Sequence, residues 1–153
     1  MTKTPPITAR EYRALAELRY VIRRFVNFSE AAAREAGVEP QQHQLLLALK
    51  GLPAASRPTI GAVAERLQLQ HNSAVELAKR SIDRGLLERK QSGSDRREVL
   101  LGVTEQGERV LARLSIAHRA ELRSSGPALA QALEALVGHT PAKSAKSARG
   151  NKR

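Results

Sequence analysis

The 153-residue chain contains no cysteine and no tryptophan. The lack of cysteine excludes disulfides, thiolate zinc sites and cysteine redox sensing. No apolar run approaches the roughly 20 residues that span a bilayer, and the N-terminal segment 1–6 lacks the apolar core of a signal peptide. We therefore expect a cytoplasmic protein with no membrane partner.

Signatures of catalysis and of cofactor binding are missing as well. The sequence has no P-loop, no GxGxxG motif and no Ser/His/Asp nucleophile elbow. Its histidines fall in separate segments without an HExxH or a paired i, i+4 arrangement, so we expect each of them to be structural or on the surface. The sequence thus predicts no enzyme, no cofactor and no metal site. The histidines are His43, His71, His118 and His139.

What the chain does have is positive charge, with a formal net charge of +11. Such a charge indicates a polyanionic partner. The excess is uneven, because residues 141–153 hold five basic residues and no acidic one, whereas residues 59–104 hold eight basic and six acidic ones. We predict that the segment 141–153 is a disordered basic tail. Net charge alone therefore does not locate a specific site.

The N-terminal segment has the pattern of one long helix. Thr8 suits the N-cap and Gly37 the stop of a helix from Ile7 to about Ala36. All four aromatic residues lie in this helix, and three of them recur every eight residues, which rotates them about 80° around the helix at each step. They cannot all face one core, so we expect a second subunit to cover another side. The four are Tyr12, Tyr20, Phe25 and Phe28.

The rest of the chain is predicted to contain further helices and one β-hairpin, bounded by proline, glycine or a capping threonine. The predicted helices run from Pro40 to the stop at Gly51-Leu52-Pro53, over Ile60–Leu67 after the cap Thr59, over Ser73–Arg84, from Glu105 to about Ser124 after the cap Thr104, and, beyond a break at Gly126-Pro127, over Ala128–Val137. The predicted strands are Leu86–Lys90 and Glu98–Val103.

This order of elements predicts a fold class. A short helix followed by a longer one is how a protein lays a helix in the major groove. The hairpin carries Asp95-Arg96-Arg97, and arginines at a hairpin tip suit the narrow, negative minor groove. We predict a mainly α fold with a small β-hairpin wing: a winged helix-turn-helix with N- and C-terminal dimerisation helices. Its partner is predicted to be double-stranded DNA.

Four short motifs follow one another through this region. They are Gln44-Leu45-Leu46-Leu47-Ala48-Leu49, Ile60-Gly61-x-x-Ala64-Glu65-x-Leu67, Arg84-Gly85-Leu86-Leu87 and Asp95-x-Arg97-x5-Val103-Thr104-x-x-Gly107. Together they resemble the MarR family of bacterial regulators, and the last is similar to the family's wing signature. Ser81 stands where that family usually has a leucine.

The resemblance implies a homodimeric transcriptional regulator, most often a repressor, that binds a pseudo-palindromic site. It also implies release by a small aromatic or lipophilic effector bound near the junction of the dimerisation and DNA-binding parts. The implied division is an N-terminal dimerisation helix over residues 1–36, a winged helix-turn-helix domain over 37–107 and C-terminal dimerisation helices over 108–140.

The N-terminal part of the recognition helix should face base edges. Asparagine and glutamine pair with adenine, arginine with guanine, and glutamate with the cytosine amino group. The alternative is that Asn72 or Ser73 only caps the helix and that Glu76 and Arg80 form an i, i+4 salt bridge. The candidate residues are Gln70, His71, Asn72, Ser73, Glu76 and Arg80.

In the wing, the resemblance assigns the minor-groove contact to Arg97. Asp95 would order the tip by a charge-assisted hydrogen bond, Arg96 would reach a phosphate or the groove edge, and Ser94 completes the tip. The alternative is a solvated charged hairpin. Phosphate contacts, which set affinity and salt dependence, are predicted for Lys79, Arg89 and Lys90.

An effector pocket is predicted between the first two helices, where aromatic walls and polar anchors could combine. The alternative is that the aromatic residues pack in the dimer interface while the arginines stay solvated. The candidate residues are Tyr12, Arg19, Tyr20, Arg23 and His43.

Two other functions are compatible with the sequence. A non-specific architectural nucleic-acid binder would depend on the basic tail and would lose binding when residues 141–153 are removed. A protein–protein interaction module would keep the fold without binding DNA, and the basic wing argues against it.

Overall fold

The computed structural model describes residues 6–93, 95 and 97–138. The described chain is mainly helical with one β-hairpin, as predicted. None of its helices is long and apolar enough to cross a membrane. The elements are α1 (Ala9–Glu35), α2 (Pro40–Lys50), α3 (Ile60–Leu67), α4 (His71–Asp83), β1 (Leu87–Gln91), β2 (Val99–Val103) and α5 (Glu105–Val137). The predicted basic tail, 141–153, lies outside the described residues.

Threonine side chains begin three of the helices, each at the predicted position. Thr8, Thr59 and Thr104 accept hydrogen bonds from the backbone N–H groups of Glu11, Ala62 and Gly107, respectively. Each bond satisfies a donor that the first helical turn leaves without an intrahelical partner. Glycine supplies the opposite signal at the end of α1, where Gly37 has a φ of +78°, a conformation that costs little without a Cβ atom.

The core lies around α2. Leu45 and Leu46 of this helix are fully buried, and the cluster continues through Leu77 of α4 to Leu111 and Leu114 of α5. Because α2 contacts α1, α3, α4, α5 and β2, apolar residues are needed on most of its sides. Its nearly continuous apolar sequence follows from this central position.

The hairpin is antiparallel and is joined to the loop before α3. In its register Leu87 pairs with Val103 and Gln91 with Val99. Thr59 forms an isolated bridge with Leu100, and the backbone N–H of Leu101 donates to the carbonyl of Pro58. Strand β2 is therefore fixed to the loop before α3.

Helix α4 begins two residues before the predicted start. Its N-cap is Gln70, which makes no side-chain capping bond, so Asn72 and Ser73 lie in the first turn. The prediction that one of them caps the helix is wrong. Further along, the buried hydroxyl of Ser81 donates to the carbonyl of Leu77 at 2.8 Å, so the polar side chain is satisfied inside the core.

The predicted break at Gly126-Pro127 is also wrong. Helix α5 continues through Pro127 to Val137 as one element, so the predicted C-terminal dimerisation helices are a single helix. Proline disfavours a helical conformation at the preceding residue mainly through a clash with that residue's backbone N–H and Cβ atom. Gly126 has no Cβ atom, which removes part of this clash.

Thr104 joins the wing to α5 by two hydrogen bonds. Its hydroxyl accepts from Gly107 N and donates to the carbonyl of Gly85 at 2.6 Å. We expect Thr104→Ala to lower the free energy of unfolding by about 1.5 kcal/mol, because both bonds are lost. Thermal unfolding at fixed protein concentration measures the effect. Thr104→Ser keeps both bonds and should stay close to wild type, and an equal loss in both variants would contradict the role of the hydroxyl.

Candidate nucleic-acid interface and adjoining cavity

The exposed face of α4 carries the residues predicted to read DNA. Ala74, Leu77, Ala78 and Ser81 are buried on the opposite face and hold the helix against the core. Four of the candidate residues also line one open depression at the protein surface, together with Gln41 and Leu69. These four are Asn72, Ser73, Glu76 and Arg80, while Gln70, His71 and Lys79 are exposed along the same helix.

Arg80 of α4 and Arg84, the C-cap of α4, contact the junction between α1 and α2. The Arg80 guanidinium lies 3.4 Å from a carboxylate oxygen of Glu39, so the partner of Arg80 is Glu39 rather than the predicted Glu76. Arg84 donates to the carbonyl of Gly37. Sequence reasoning missed both contacts because no local spacing relates these residues. They connect the recognition helix to the start of α2.

The described part of the wing tip is ordered by Asp95. Its carboxylate accepts a hydrogen bond from the backbone N–H of Arg97 at 2.9 Å, which is a turn that aspartate commonly stabilises. The Arg97 side chain is exposed to solvent and can reach a partner. Ser94 and Arg96, which were predicted to share this tip, lie outside the described residues.

The two ends of the hairpin loop are held by Arg57, which sequence reasoning did not identify. Its guanidinium lies 2.5 Å from a carboxylate oxygen of Glu98 and donates to Ser92 Oγ at 2.7 Å. Ser92 follows β1 and Glu98 precedes β2, so one side chain contacts both sides of the hairpin. Of the predicted phosphate contacts on β1, Lys90 lies 3.6 Å from Glu88 and Arg89 is exposed.

We expect Glu98→Gln to weaken DNA binding about threefold to tenfold, because the wing loses an ionic contact at the end of its loop. Removal of a negative charge alone would strengthen binding to a polyanion, so the two effects have opposite signs. Fluorescence anisotropy with a labelled DNA site measures the affinity. Glu88→Gln, on β1, is the matched control, and tighter binding by both variants would exclude a positioning role for Arg57 and Glu98.

A cavity of about 440 Å³ lies between α1, α2 and α5. Of the five predicted pocket residues, only His43 lines it. Tyr12, Arg19, Tyr20 and Arg23 are exposed along α1 and do not line this cavity. The lining consists of Phe25, His43, Leu47, Ser115, His118, Arg119, Leu122 and Arg123.

Two histidines that are far apart in the chain meet in the wall of this cavity. The ring centroids of His43 and His118 are 4.8 Å apart. Nδ1 of His118 lies 2.6 Å from the carbonyl of Leu114 and Nε2 lies 2.7 Å from Ser29 Oγ. Because a carbonyl only accepts, Nδ1 carries the proton, and in the neutral ring Nε2 accepts from the serine hydroxyl. Sequence spacing gave no sign of this pair.

The surroundings of His43 disfavour its charged form. Only 3% of this residue is exposed, and Nδ1 is buried without a hydrogen-bond partner among the described residues. Burial lowers the pKa of His43 below its ordinary value of 6.5, and the nearby His118 lowers this pKa further. Burial and the nearby His118 both disfavour the imidazolium form of His43.

This shift predicts that acid destabilises the fold through His43. The unfolded chain binds a proton at the ordinary pKa, whereas the folded chain binds it only at lower pH. The free energy of unfolding therefore keeps its full value above about pH 6.5 and falls as the pH drops toward the pKa of His43 in the folded chain. We expect the melting temperature to decline less steeply below about pH 6.5 in His43→Gln than in wild type. His71→Gln, which changes an exposed histidine, should keep the wild-type slope, and an unchanged slope in His43→Gln would refute the prediction.

The described residues include no group of three or more histidine, aspartate or glutamate side chains placed to hold a metal ion. The α4 and wing surface offers hydrogen bonding and charge, and the cavity offers apolar and cationic contact.

Residues 36–98, which include α2, α3, α4 and β1, match the family model for MarR. Over these 63 of its 153 residues the chain is similar to the MarR family, whose members are transcription regulators. No relative among curated proteins matches the sequence.

Solved structures of MarR proteins share the fold at low sequence identity. AbsC, a MarR family transcriptional regulator from Streptomyces coelicolor, is 20% identical, with a TM-score of 0.67 and coverage of 80% of this chain and 82% of AbsC. Sco3205 from the same organism, solved in complex with DNA, is 18% identical, with a TM-score of 0.66 and coverage of 82% and 78%. CouR from Rhodococcus jostii RHA1, solved bound to p-coumaroyl-CoA, is 20% identical, with a TM-score of 0.60 and coverage of 82% and 92%.

Proposed function

We propose that this protein is a homodimeric, sequence-specific DNA-binding repressor of the MarR family that a small effector releases from a pseudo-palindromic operator. The observation that carries the proposal is the combination of an exposed polar face on α4 with an exposed arginine, Arg97, at the end of the hairpin. A helix in the major groove and a wing arginine in the minor groove together supply base readout and groove-width readout. The DNA complex of Sco3205 supports this proposal by its fold.

The proposed DNA contacts fall into three groups. Base edges are read from the start of α4 by Gln70, His71, Asn72, Ser73, Glu76 and Arg80. The proposed wing residues are Ser94, Asp95, Arg96 and Arg97. Arg97 is the main contact with the minor groove, Arg96 reaches a phosphate or the groove edge, and Asp95 orders the tip. Phosphates are bound by Lys79, Arg89 and Lys90, which raise affinity without selecting sequence.

The homodimer is proposed from apolar side chains that the single chain leaves exposed on its two terminal helices. In α1 these include Leu15, Ile22 and Val26, and in α5 they include Ile116 and Leu133. A large apolar surface on a soluble regulator indicates an interface. Light scattering after gel filtration should give twice the chain mass of 16.7 kDa.

The effector is proposed to bind in the cavity between α1, α2 and α5. A cavity of about 440 Å³ lies in the range of small-molecule sites. His43 is the one residue of the predicted pocket that lines this cavity. The proposed effector contacts therefore do not include the exposed residues Tyr12, Arg19, Tyr20 and Arg23. The bound p-coumaroyl-CoA of CouR supports the proposal that this fold accepts an organic ligand.

Selection from random-sequence DNA tests the proposed specificity. We expect an enriched inverted repeat whose half-site centres lie about one helical turn, roughly 10 base pairs, apart. Selection with a chain lacking residues 141–153 should recover the same repeat more weakly, because the tail contributes charge only. Enrichment of no motif by the full chain would contradict sequence-specific regulation and would favour the architectural alternative.

A further inference from the structure

Val75 is the one large apolar side chain exposed on α4, a helix that lies entirely within the described residues. It keeps 39% of its surface accessible, whereas Leu77 on the core side keeps 1%. Valine forms helix less readily than alanine, because its β-branch restricts the side-chain rotamers. At an exposed helical position it therefore lowers helix propensity and gains little burial in return. A residue that breaks a local rule without a structural gain indicates a functional role.

The neighbours of Val75 on the helix surface are proposed DNA contacts. Residues three and four positions apart share one side of a helix, which places His71, Asn72 and Lys79 around Val75. All three are exposed. The exposed apolar side chains of the proposed dimer interface lie on α1 and α5 instead. Val75 therefore belongs to the surface that is proposed to meet DNA.

The charge next to Val75 indicates which part of the DNA this surface meets. Glu76 is exposed, and its carboxylate forms no ion pair with a described residue. Phosphates repel an unpaired carboxylate, whereas the amino group of cytosine donates a hydrogen bond to it in the major groove. The part of α4 that holds Asn72, Val75 and Glu76 is therefore expected to lie over base edges and not over the phosphate backbone.

We propose that Val75 is a specificity-determining residue that contacts the C5-methyl group of a thymine in the major groove. Thymine presents this apolar group on the groove floor, and short apolar side chains contact it. The inference rests on the proposed DNA-binding function. It adds to the polar base contacts of α4 an apolar one that selects thymine at one position of each half-site.

The contact discriminates between thymine and cytosine in two ways. Burial of the thymine methyl group against Val75 removes apolar surface from water, which is favourable. A cytosine at the same position lacks the methyl group and presents an amino donor to the groove. Val75 cannot accept a hydrogen bond, so this donor would lose its hydration without compensation. Thymine is therefore preferred both for the methyl group that it has and for the amino group that it lacks.

Deoxyuridine scanning of the selected inverted repeat tests the contact. Each thymine of one half-site is replaced in turn, together with its symmetry mate in the other half-site, by deoxyuridine, which lacks only the C5-methyl group. Fluorescence anisotropy with the full chain measures the affinity. We expect one position at which the replacement weakens binding about 15-fold, which is about fourfold for each methyl group that the protein no longer contacts.

Val75→Ala identifies the side chain that is responsible. It removes both γ-methyl groups from an exposed helical position, so the fold should keep its stability. The variant should bind the unmodified repeat about tenfold more weakly than wild type, and deoxyuridine at the sensitive position should change its affinity by less than about twofold. The coupling between the two changes, measured as a double-mutant cycle, isolates the contact from other effects of either change.

Val99→Ala is the matched control. It truncates the same type of side chain at a similar exposure, 43%, on β2 of the wing rather than on α4. Because the thymine methyl group lies in the major groove, this variant should retain the loss that deoxyuridine causes in wild type. Disappearance of the deoxyuridine effect in both valine variants, or its persistence in Val75→Ala, would overturn the proposal.

Failure of this inference is distinguishable from failure of the proposed function. A selected repeat that binds equally well with thymine or deoxyuridine at every position would refute the Val75 contact and leave the sequence-specific regulator intact. Selection that enriches no repeat would refute the proposed function and the Val75 contact with it. A deoxyuridine effect that disappears in Val75→Ala and persists in Val99→Ala would support both.

Discussion

Gly107→Ala is expected to lower the free energy of unfolding by about 3 kcal/mol, the upper part of the range for overpacking. A Cβ atom at Gly107 would lie within 2.3 Å of the carbonyl oxygen of Leu86 and 2.8 Å of a methyl group of Val103. The first contact is with backbone, so a side-chain rotation cannot relieve it. In a chain of this length the melting temperature should fall by roughly 6–12 °C.

The control for Gly107→Ala is Gly61→Ala in α3. A Cβ atom at Gly61 would meet only the Thr59 hydroxyl, at an ordinary 3.8 Å. Alanine favours helix over glycine by roughly 0.5–1 kcal/mol, so this variant should be slightly stabilised. Thermal unfolding of both variants at one protein concentration measures the two changes in stability. Stabilisation by both would mean that α5 does not approach Leu86 as closely as the structure shows.

Arg97→Ala is expected to weaken binding to the selected DNA about 100-fold. One wing contact with the minor groove is worth about 1.4 kcal/mol, which is tenfold in affinity, and the proposed dimer loses the contact twice. The Arg97 side chain is exposed, and Asp95 bonds only its backbone N–H. Its removal should therefore leave the stability of the fold nearly unchanged.

Anisotropy titrations over a salt series separate this contact from bulk charge. Arg13→Ala removes one positive charge from exposed α1 and should reduce affinity by less than about twofold at moderate salt, because exposed distant charges are screened. Arg97→Ala should retain a large loss at every salt concentration. Equal losses in the two variants would leave Arg97 without a specific role.

Elements defined by local signals could be predicted from the sequence. The three threonine caps, the proline start of α2 and the buried face of α4 at Ala74, Leu77 and Ala78 depend on residues within a few positions of one another. The fold class followed from the order of these elements. The wing signature that ends at Gly107 indicated the same fold. The structure shows why a glycine is needed at this position, because the backbone carbonyl of Leu86 lies too close to leave room for a Cβ atom.

The two wrong boundaries show where local signals compete. Asn72 and Ser73 are good capping residues, yet α4 begins at His71 with Gln70 as N-cap, because the buried face of the helix and not its cap fixes its place in the core. Pro127 is a strong stop signal, yet α5 continues through it, and the glycine before it removes only part of the clash that proline makes with the preceding residue. In both cases the sequence contains the capping or stop signal and also the residues that oppose it, but it does not show which of the two is stronger.

Contacts between distant segments could not be predicted. His43 and His118 meet only because α2 and α5 pack together, and Arg57 reaches Glu98 only because the hairpin folds back onto the loop before α3. The predicted pocket placed Tyr12 and Tyr20 beside His43, whereas the cavity lies against α5 and is lined by Phe25 instead. Which sides of a long helix face a neighbour depends on crossing angles that a single sequence does not specify.

The most direct test of sequence-specific recognition is a gel-shift titration of the selected inverted repeat in excess non-specific competitor DNA. The control DNA has the same composition with both half-sites scrambled. We predict a complex with two chains per repeat that resists the competitor and is at least about 1,000-fold tighter than the complex with scrambled DNA, the lower limit for specific binding by such proteins. Equal binding to the two DNAs, with loss of both complexes to the competitor, would contradict the proposed regulator.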